Sequence, residues 1–465
     1  MNPVDSLVFV LGDIGHSPRT LNTIKKLSET CSNVHVMAYK ESSTFQLDHP
    51  SSDSPFQNVH MHILHEKCWE WTRMQPSSSG FKSSRLWFLI GSFFKVIIQW
   101  LLIWYILLFQ VKVYSLNLIW CQVPPSIPTL VVLYLVRYIV LPLGYLCGMN
   151  QGDHRWVVDW HNLGYTLLRV AKRPKFMVYI AECIENFFGR RADVHLCVSN
   201  AFRLFLKDWA NIDAVVLYDR PTNSFRDHDT IPMEERHELF VKLGWAIAGS
   251  NDHETLFTKR DKRTGNVQYL ENRPALIVSS TSWTPDEDFA LMLNAIEEYD
   301  VLHKNDSFPQ LHFVITGKGP QKEFYLKKIA KMGLTKCVIE TAWLEIEDYP
   351  RLLACADLGV CMHYSSSGID LPMKVVDMFA AGLPVCAIGF NALNELVVHK
   401  GNGYIFQDSE ELTRRIESVF ENFPQDTSLL EGMRKNIQHT FQQVRWDDEW
   451  RAKVVRKGIM PSHKR

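Results

Sequence analysis

Short apolar runs alternate with longer segments along this chain, a pattern that predicts strands alternating with helices. The predicted strands of the first half are Leu7–Leu11, Val34–Tyr39, Ser115–Gln122, Trp156–Trp160 and Val194–Ser199. Those of the second half are Ala275–Ser280, Leu311–Thr316, Val338–Thr341, Asp357–Cys361 and Pro384–Ile388. Helices are predicted from Ser17-Pro18, near Lys175–Phe188, over Pro285–His303, from Gln321, over Pro372–Ala381 and from Ser409. Two such series predict an α/β protein with two doubly wound, Rossmann-like parallel-sheet domains.

A polar, poorly periodic stretch at 221–273 separates the two series and is interpreted as a linker with loop insertions. The predicted organisation is an N-terminal domain at 1–220, a C-terminal domain at 274–440, and a final helix and tail at 441–465. In parallel sheets, ligands bind beyond the carboxyl ends of the strands. With two facing domains, the cleft between them is the expected active site.

The most apolar segment is Leu86–Phe109, with 24 residues and one charge, Lys95. Its length is sufficient to span a bilayer. However, Ser92, Lys95 and Gln99 fall on one helical face, which favours a helix lying in the membrane interface or packed on the domain. A second run, Ile127–Cys147, lies between two predicted strands, and a buried crossover helix is favoured there.

Overall composition is that of a globular chain: of 465 residues, 46% are hydrophobic and 22% charged. The net charge of −1 leaves no general basic field, so no nucleic-acid partner is expected. The ten cysteines contain no C-x-x-C pair, which argues against a zinc site and a disulfide framework.

The loop after the first strand carries the first candidate residues. Gly12 and Gly15 precede a helix N-terminus and let the backbone approach an anion or a sugar closely. Asp13 and His16 are expected to project towards a ligand, with Arg19 beside them. The alternative is an ordinary strand-to-helix turn.

A second candidate group follows the strand Trp156–Trp160. Asp159, His161 and Asn162 come in quick succession at its carboxyl end. A histidine held by a carboxylate is typical of a general base or of a contact to a sugar hydroxyl. The alternative is a capping aspartate beside a packed histidine.

Two loops of the second half have features of a diphosphate site. Gly317, Lys318 and Gly319 form a glycine-rich turn before a helix, without the spacing of an ATP-hydrolysing P-loop. A later loop containing Gly368 leads into a helix with Lys374 and, three residues on, Asp377. Lysine and exposed amides suit a diphosphate, and a carboxylate suits the two ribose hydroxyls. The alternative for the last two residues is a solvated ion pair.

Together these segments resemble one family. The stretch D-M-F-A-A-G-L-P-V resembles the nucleotide-sugar segment of GT-B glycosyltransferases. With L-G-D-I-G-H-S-P-R, D-W-H-N-L-G-Y, S-S-T-S-W-T-P-D-E-D-F and S-S-S-G-I-D-L-P-M-K-V-V, it is similar to chitobiosyldiphosphodolichol β-mannosyltransferases. The resemblance covers about residues 6–450.

The resemblance implies an inverting β-1,4-mannosyltransferase with two GT-B domains. The donor would be GDP-mannose and the acceptor dolichyl-diphosphate chitobiose, at the cytosolic face of the endoplasmic reticulum membrane. This would be the first mannosylation of the lipid-linked oligosaccharide for protein N-glycosylation. No cofactor or metal is expected, and association with other early dolichol-pathway glycosyltransferases is implied by the family alone.

Residue roles are implied by motif position. The acceptor side would contain four catalytic candidates, with the identity of the base left open: Asp13, His16, Asp159 and His161. The acceptor contacts would be Gly12, Gly15, Arg19 and Asn162. The donor contacts would be Gly317, Lys318, Gly319, Gly368, Asp370, Lys374 and Asp377.

Two departures from the family pattern affect these roles. Many GT-B enzymes carry two glutamates with seven residues between them, but here Ile369 occupies the first position and Asp370 lies one place later. Family members often begin with a transmembrane anchor, whereas this sequence begins almost at the first strand. Membrane binding is therefore expected from Leu86–Phe109 or from a partner.

Two D-x-D matches, Asp227-His228-Asp229 and Asp286-Glu287-Asp288, are interpreted as structural, and no bound metal is inferred. One alternative function is another GT-B transferase with a UDP-sugar donor and a lipid acceptor. A second alternative is a non-catalytic scaffold, which the presence of the site residues argues against.

Overall fold

A computed structural model describes residues 4–40, 56–64, 85–149, 154–221, 225–284, 287–365 and 367–460. The side chains of His16, of residues 85–93 and of Lys95 lie outside this description. The chain divides into two compact units. The first unit comprises Met1–Leu217 and Trp450–Arg465, and the second comprises Tyr218–Glu449.

The first unit contains a parallel sheet of seven strands in the order β3-β2-β1-β4-β5-β6-β7. The strands are β1 Asp5–Asp13, β2 Asn33–Tyr39, β3 Val59–Ile63, β4 Leu118–Val123, β5 Arg155–Trp160, β6 Val194–Cys197 and β7 Val215–Val216. The central strands β1, β4 and β5 are almost wholly buried, which explains their near-continuous apolar sequences. Strands β3 and β7 were not predicted, because they are short and only partly buried at the sheet edges.

Six described helices lie between strands of this sheet, since parallel strands need crossover connections. They are α1 Pro18–Ser28, α2 Arg85–Tyr105, α3 Thr129–Leu146, α4 Gly164–Val170, α5 Lys175–Gly189 and α6 Asn200–Ala210. The predicted strand start at Ser115 is wrong, because Val113–Ser115 forms a 3-10 turn and β4 begins at Leu118.

The second unit has a parallel sheet of six strands in the order β12-β11-β10-β13-β14-β15. These are β10 Ala275–Ser280, β11 Leu311–Thr316, β12 Cys337–Ala342, β13 Leu358–Cys361, β14 Val385–Ile388 and β15 Gly403–Phe406. The helices between and after them are α8 Phe289–Leu302, α9 Lys322–Ile329, α10 Asp348–Cys355, α11 Met373–Ala380, α12 Ser409–Phe420, α13 Ser428–Ile437 and α14 Trp446–Trp450. Both sheets thus have the doubly wound order predicted for them.

The stretch 221–273 is not a linker, which corrects the prediction. It contains helix α7, Met233–Lys242, and an antiparallel hairpin of β8, Thr258–Arg260, and β9, Val267–Tyr269. Its apolar residues Leu239, Phe240 and Phe257 are buried in one core with residues of β10 and β14. The polar composition of 221–273 did not predict the helix and the hairpin, because their few apolar residues are irregularly spaced. These residues form a core only when they pack against the sheet.

The chain end also departs from the expected tail. Helix α14 continues through Arg451–Val455, and the segment from Trp450 belongs to the first unit. Trp450 stacks on Trp120 of β4 at 5.2 Å, and Arg155 donates to the carbonyl of Ile459 at 2.8 Å. These contacts attach the C-terminal segment to strands β4 and β5 of the first sheet.

The apolar run 86–109 forms helix α2 and a following π-helical turn, Ile106–Gln110. Gln99 donates to the Tyr39 hydroxyl at 2.8 Å, and Ile103 and Leu107 are buried, so this face packs on the domain. Large apolar side chains remain exposed elsewhere on the helix, among them Leu101 and Phe109. Ser92 and Lys95 of the predicted polar face lie outside the described side chains.

The second apolar run forms α3 between β4 and β5, which confirms the crossover helix. Its complete burial is not observed: Leu130 and Leu133 are buried, whereas Leu143 and Leu146 are exposed. Among the described residues, this helix alone is long and apolar enough to cross a bilayer. A core helix of a soluble protein can have the same length and apolar composition, and the first turns of α3 are buried as in such a helix.

Candidate active site

Asp13 ends strand β1, and a single 3-10 turn, Ile14–His16, leads from it to helix α1. The Asp13 carboxylate accepts the backbone N–H of Gly15 at 3.2 Å and so caps this turn. The structure thus brings Gly12, Asp13 and Gly15 to the carboxyl edge of the first sheet. The His16 side chain lies outside the description, so its predicted role stays a prediction.

Ser17 occupies the N-cap position of α1, and Pro18 the first helical position, as predicted. The hydroxyl of Ser17 makes no capping bond to the helix. It bonds instead to Thr20 at 2.6 Å and donates to Gln122 of β4 at 3.1 Å. The side chain therefore holds the start of the helix against a neighbouring strand.

The predicted residues Arg19 and Asp159 meet in a buried bidentate ion pair. Arg19 Nε and Nη2 donate to the two carboxylate oxygens of Asp159 at 2.9 and 2.8 Å. Arg19 Nη1 donates to the carbonyl of Leu217 at 2.7 Å, and the two side chains are 4% and 2% exposed. This burial leaves Asp159 no open face for a ligand.

His161 is the accessible member of this group. Its Nε2 lies 3.1 Å from Asp159 Oδ2, and its side chain is 20% exposed. Burial alone would raise the pKa of the Asp159 carboxyl, but the charges of Arg19 and His161 hold that pKa well below its usual range. A permanently ionised Asp159 can orient His161 and select its tautomer, which is a positioning role.

Asn162 uses its side-chain oxygen locally, accepting the backbone N–H of Leu163 at 2.8 Å. The next helix, α4, is capped by Glu185 of α5, which accepts from Gly164 N at 2.7 Å and Tyr165 N at 3.3 Å. Sequence reasoning missed Glu185, because its partners lie 21 residues earlier in a different helix. A Cβ at Gly164 would lie 2.7 Å from a carboxylate oxygen of Glu185, so a larger residue there would displace the group that caps α4.

In the second unit, the predicted glycine turn follows β11 directly. Gly317 has φ +125°, and a Cβ on either Gly317 or Gly319 would collide with the backbone carbonyls of Thr281 and Ser282. The glycines therefore let this loop pack against the loop after β10. Lys318 extends over the ring of Trp343, with its Nζ 3.7 Å from the ring centroid.

Lys374 lies in the first turn of α11 and forms an ion pair with Glu287. Glu287 is buried, and its other oxygen accepts from the Thr281 hydroxyl and from Ser282 N at 2.8 Å. Sequence reasoning had assigned Glu287 to a structural D-x-D match and missed this contact. One carboxylate thus ties the loop after β10 to the lysine of α11.

The serine-rich loop before α11 is ordered by its own polar groups. Gly368 has φ +73°, and its N–H is 2.8 Å from the Ser365 hydroxyl oxygen. That hydroxyl also donates to Asp370, whose other oxygen lies 3.8 Å from His363 Nε2. Asp370, one place from the usual acid of the family, is thereby held at the carboxyl end of β13.

Asp377 lies one turn after Lys374, in a different electrostatic environment. Burial raises the pKa of its carboxyl to about 7, partly offset by a hydrogen bond from the Tyr349 hydroxyl. The Tyr349 hydroxyl is also 3.0 Å from that of Ser280 at the end of β10. Among the described residues, no cation lies within ion-pair distance of Asp377.

Within the described part of the chain, no group of three or more histidine, cysteine, aspartate or glutamate side chains is arranged to hold a metal ion. In the D-x-D match Asp227-His228-Asp229, Asp227 accepts the N–H of Asp229 at 3.0 Å, and both carboxylates accept from Gln438. These contacts confirm the structural interpretation of that match.

Comparisons with known proteins extend over both units. The family model of glycosyl transferases group 1 matches residues 273–422. A chitobiosyldiphosphodolichol beta-mannosyltransferase of Homo sapiens is 40% identical over 458 residues, covering 96% of this chain and 90% of that protein. The chain belongs to the chitobiosyldiphosphodolichol beta-mannosyltransferase family.

Within this family the chain is a glycosyltransferase. The UDP-glycosyltransferase TURAN of Arabidopsis thaliana is 36% identical over 476 residues, covering 95% of this chain and 94% of that protein. A glycosyltransferase from Rickettsia africae ESF-5 has a TM-score of 0.60 at 13% identity, covering 99% and 100% of the two chains. The GT-B fold predicted from the sequence is confirmed.

Proposed function

We propose that this chain transfers mannose from GDP-mannose to dolichyl-diphosphate chitobiose, forming a β-1,4 linkage with inversion. The reaction would be the first mannosylation of the lipid-linked oligosaccharide. The observation that carries this proposal is the 40% identity to the human beta-mannosyltransferase over 96% of the chain. Such a match includes both the Asp159–His161 group of the first unit and the Lys374–Asp377 group of the second.

In the proposed mechanism, the second unit binds the donor. Lys374, whose side chain is 21% exposed, binds the diphosphate from one side while Glu287 holds its Nζ from the other. Asp377 accepts the vicinal ribose hydroxyls when it is ionised. The amides of the Gly317–Gly319 turn and the first turn of α11 supply further donors to the departing GDP.

The first unit binds the acceptor and removes its proton. His161 Nε2 is hydrogen-bonded to Asp159. Nδ1 of His161 is then the ring nitrogen that would accept the proton of the attacking sugar hydroxyl. Inversion requires a single in-line displacement, so one base is sufficient. Asp13 and His16 are the remaining candidates for the base, and Gly12, Gly15 and Asn162 would provide acceptor contacts.

We further propose that the first unit contacts the endoplasmic reticulum membrane from the cytosolic side. Large apolar side chains are exposed on helices α2, α3, α4 and α5, among them Leu101, Leu146, Val170 and Phe176. The segment 164–181 contains Arg169, Lys172, Arg173 and Lys175 but no acidic residue. Apolar surface next to cations suits an anionic lipid interface. Association with other early enzymes of the pathway would be favoured on the same membrane.

The test is transfer of labelled mannose from GDP-mannose to a phytanyl-diphosphate chitobiose acceptor by detergent-solubilised protein. Expected is a β-linked trisaccharide lipid in the presence of EDTA, because lysine and helix amides stabilise the leaving group without a metal. Absence of product despite GDP binding would contradict the proposed acceptor. Loss of product on addition of EDTA would contradict the metal-independent mechanism.

A UDP-sugar donor is the second candidate, favoured by the printed name of the Arabidopsis relative, a UDP-glycosyltransferase. The same assay with UDP-glucose and UDP-N-acetylglucosamine separates the two donors. Product from a UDP-sugar, with none from GDP-mannose, would replace the proposed donor.

A further inference from the structure

A cavity of about 750 Å³ lies in the second unit, away from the loops that contain the donor residues. Its lining includes Arg273, two residues before β10, and Asp357, which directly precedes β13. Both positions are at the amino ends of parallel strands, whereas Gly317 and Asp370 follow carboxyl ends. The cavity and the proposed donor site are therefore on opposite edges of one sheet. Its volume is within the range of pockets for small organic ligands.

Three buried guanidinium groups lie in and behind this cavity, with one buried carboxylate among them. Arg236, Arg273 and Arg434 are 4%, 8% and 7% exposed, and Asp357 is 2% exposed. Arg273 donates to both oxygens of Asp357, at 2.7 and 2.8 Å. Both oxygens of the Asp357 carboxylate therefore have a hydrogen-bond donor, and one of them also accepts from Leu276 N at 2.8 Å. Among the described residues, Arg236 and Arg434 form no ion pair with a carboxylate, although the charge of Asp357 acts on Arg434.

Arg236 makes more hydrogen bonds than Arg434. Arg236 donates to the carbonyls of Ile231 and His228 and, at 2.8 Å, to the Tyr269 hydroxyl. Arg434 donates from Nη2 to the Ala356 carbonyl at 3.1 Å, and its buried Nε has no hydrogen-bond partner among the described residues. A buried guanidinium with so few partners is costly unless an anion binds it.

The histidine next to these arginines adds no charge to the cavity, whereas the neighbouring lysine does. Burial, followed by the charges of Arg434 and Arg236, lowers the pKa of His228 to about 2, so the imidazole stays neutral. Burial likewise lowers the pKa of Arg434, despite the charge of Asp357. Lys435 lines the cavity and contributes an exposed ammonium. The part of the cavity at Arg434 and Lys435 thus offers positive charge to an anion.

Acidic residues also line the cavity. Asp229, Glu271 and Glu431 are placed there with the amides of Asn272 and Gln425. Carboxylates repel a simple anion but accept hydrogen bonds from hydroxyl groups. The combination suits a ligand with an anionic end and a polyhydroxylated body. We propose that this cavity is a binding site for a phosphorylated sugar, with the phosphate on Arg434 and Lys435 and the hydroxyls on the carboxylates.

The experiment is calorimetric titration of the full chain with mannose 6-phosphate, in the presence of saturating GDP to occupy the proposed donor site. Expected is saturable binding that is weaker for inorganic phosphate and absent for mannose. Arg434→Gln should weaken it at least about tenfold, because a charge-assisted bond to the phosphate is lost. Arg414→Gln, on the exposed face of α12, is the matched control and should bind as the wild type.

Three outcomes would overturn the proposal. These are no saturable binding to the wild type, binding that Arg434→Gln leaves unchanged, and binding that GDP displaces. Equal binding of inorganic phosphate and mannose 6-phosphate would overturn the sugar assignment. If Arg434→Gln does not fold, Lys435→Gln tests the same cavity from an exposed position and should weaken binding.

Thermal unfolding without ligand separates a binding role of Arg434 from a structural one. Arg434→Met removes a buried, unpaired charge while retaining much of the side-chain volume. A binding role predicts an unchanged or higher melting temperature for this variant, because buried charge is costly without its ligand. A lower melting temperature would show that the bond to Ala356 supports the fold and would overturn the argument from the unpaired charge.

Discussion

Asp159 and Asp377 are two enclosed aspartates, one in each unit, and they have opposite electrostatic states. Asp159 is bound on both oxygens by Arg19, and its pKa is well below the usual range. Asp377 has a tyrosine hydroxyl instead of a cation, and burial raises its pKa to about 7. The comparison shows that the neighbouring charge, rather than burial, decides which aspartate is always ionised and which titrates near neutral pH.

Their effects on stability also have opposite signs. The lowered pKa of Asp159 stabilises the fold above the unfolded pKa, and this stabilisation is lost only in strong acid. The raised pKa of Asp377 favours the fold at low pH, and this contribution is lost as pH rises from the unfolded value near 3.8 to about 7. Asp159 is therefore suited to a structural and positioning role, and Asp377 to contact with a ligand.

The largest expected effect is the loss of stability on breaking the Arg19–Asp159 ion pair of the first unit. Arg19→Met leaves the Asp159 carboxylate buried without its cation, so we expect the free energy of unfolding to fall by about 3–5 kcal/mol. Urea denaturation followed by tryptophan fluorescence measures it. Arg203→Met, at an exposed position of α6, is the matched control. A loss of less than about 1 kcal/mol would contradict the view that this pair organises the site.

The second effect concerns the more exposed ion pair of the second unit. Lys374→Ala should weaken GDP binding by about ten- to a hundredfold, because a charge-assisted bond to the diphosphate is lost. Calorimetric titration with GDP measures it, with Lys327→Ala on the exposed side of α9 as the control. Equal GDP affinity in wild type and Lys374→Ala would remove Lys374 from the proposed donor site.

The third effect is a pH dependence that belongs to Asp377 alone. Since the ribose contact requires a carboxylate, GDP-mannose affinity should rise about tenfold between about pH 6 and pH 8 as Asp377 ionises. Asp377→Asn should bind weakly and with no such rise. GDP-mannose is used because its diphosphate does not titrate in this range. A wild-type affinity independent of pH would contradict either the raised pKa or the ribose contact.

The smallest effect is expected at Lys318. This side chain is exposed and lies over Trp343, so solvent weakens its interaction with the diphosphate. Lys318→Met should reduce GDP affinity by about two- to fivefold, much less than Lys374→Ala, in the same titration. A larger loss than that of Lys374→Ala would reverse the proposed ranking of the two lysines.

Much of this architecture could be predicted because local patterns determine it. The buried strands β1, β10 and β11 have continuous apolar sequences, and the glycines at 317 and 319 mark a close backbone approach. The prediction failed at 221–273, where the apolar residues of α7 and the hairpin become a core only after packing against the second sheet. The prediction also failed at β3 and β7, the edge strands of the first sheet, because their partial burial leaves a weak sequence pattern.

The sequence alone determined the alternation of strands and helices, the two doubly wound domains, and the short list of polar residues at strand ends. It did not determine their charge states or partners. Arg19 and Asp159 are 140 residues apart in the chain, and Glu287 and Lys374 belong to a loop and a helix that are distant in the sequence of the second unit. Electrostatic interactions depend on distance in space and on access of water, and both are decided only when the chain has folded.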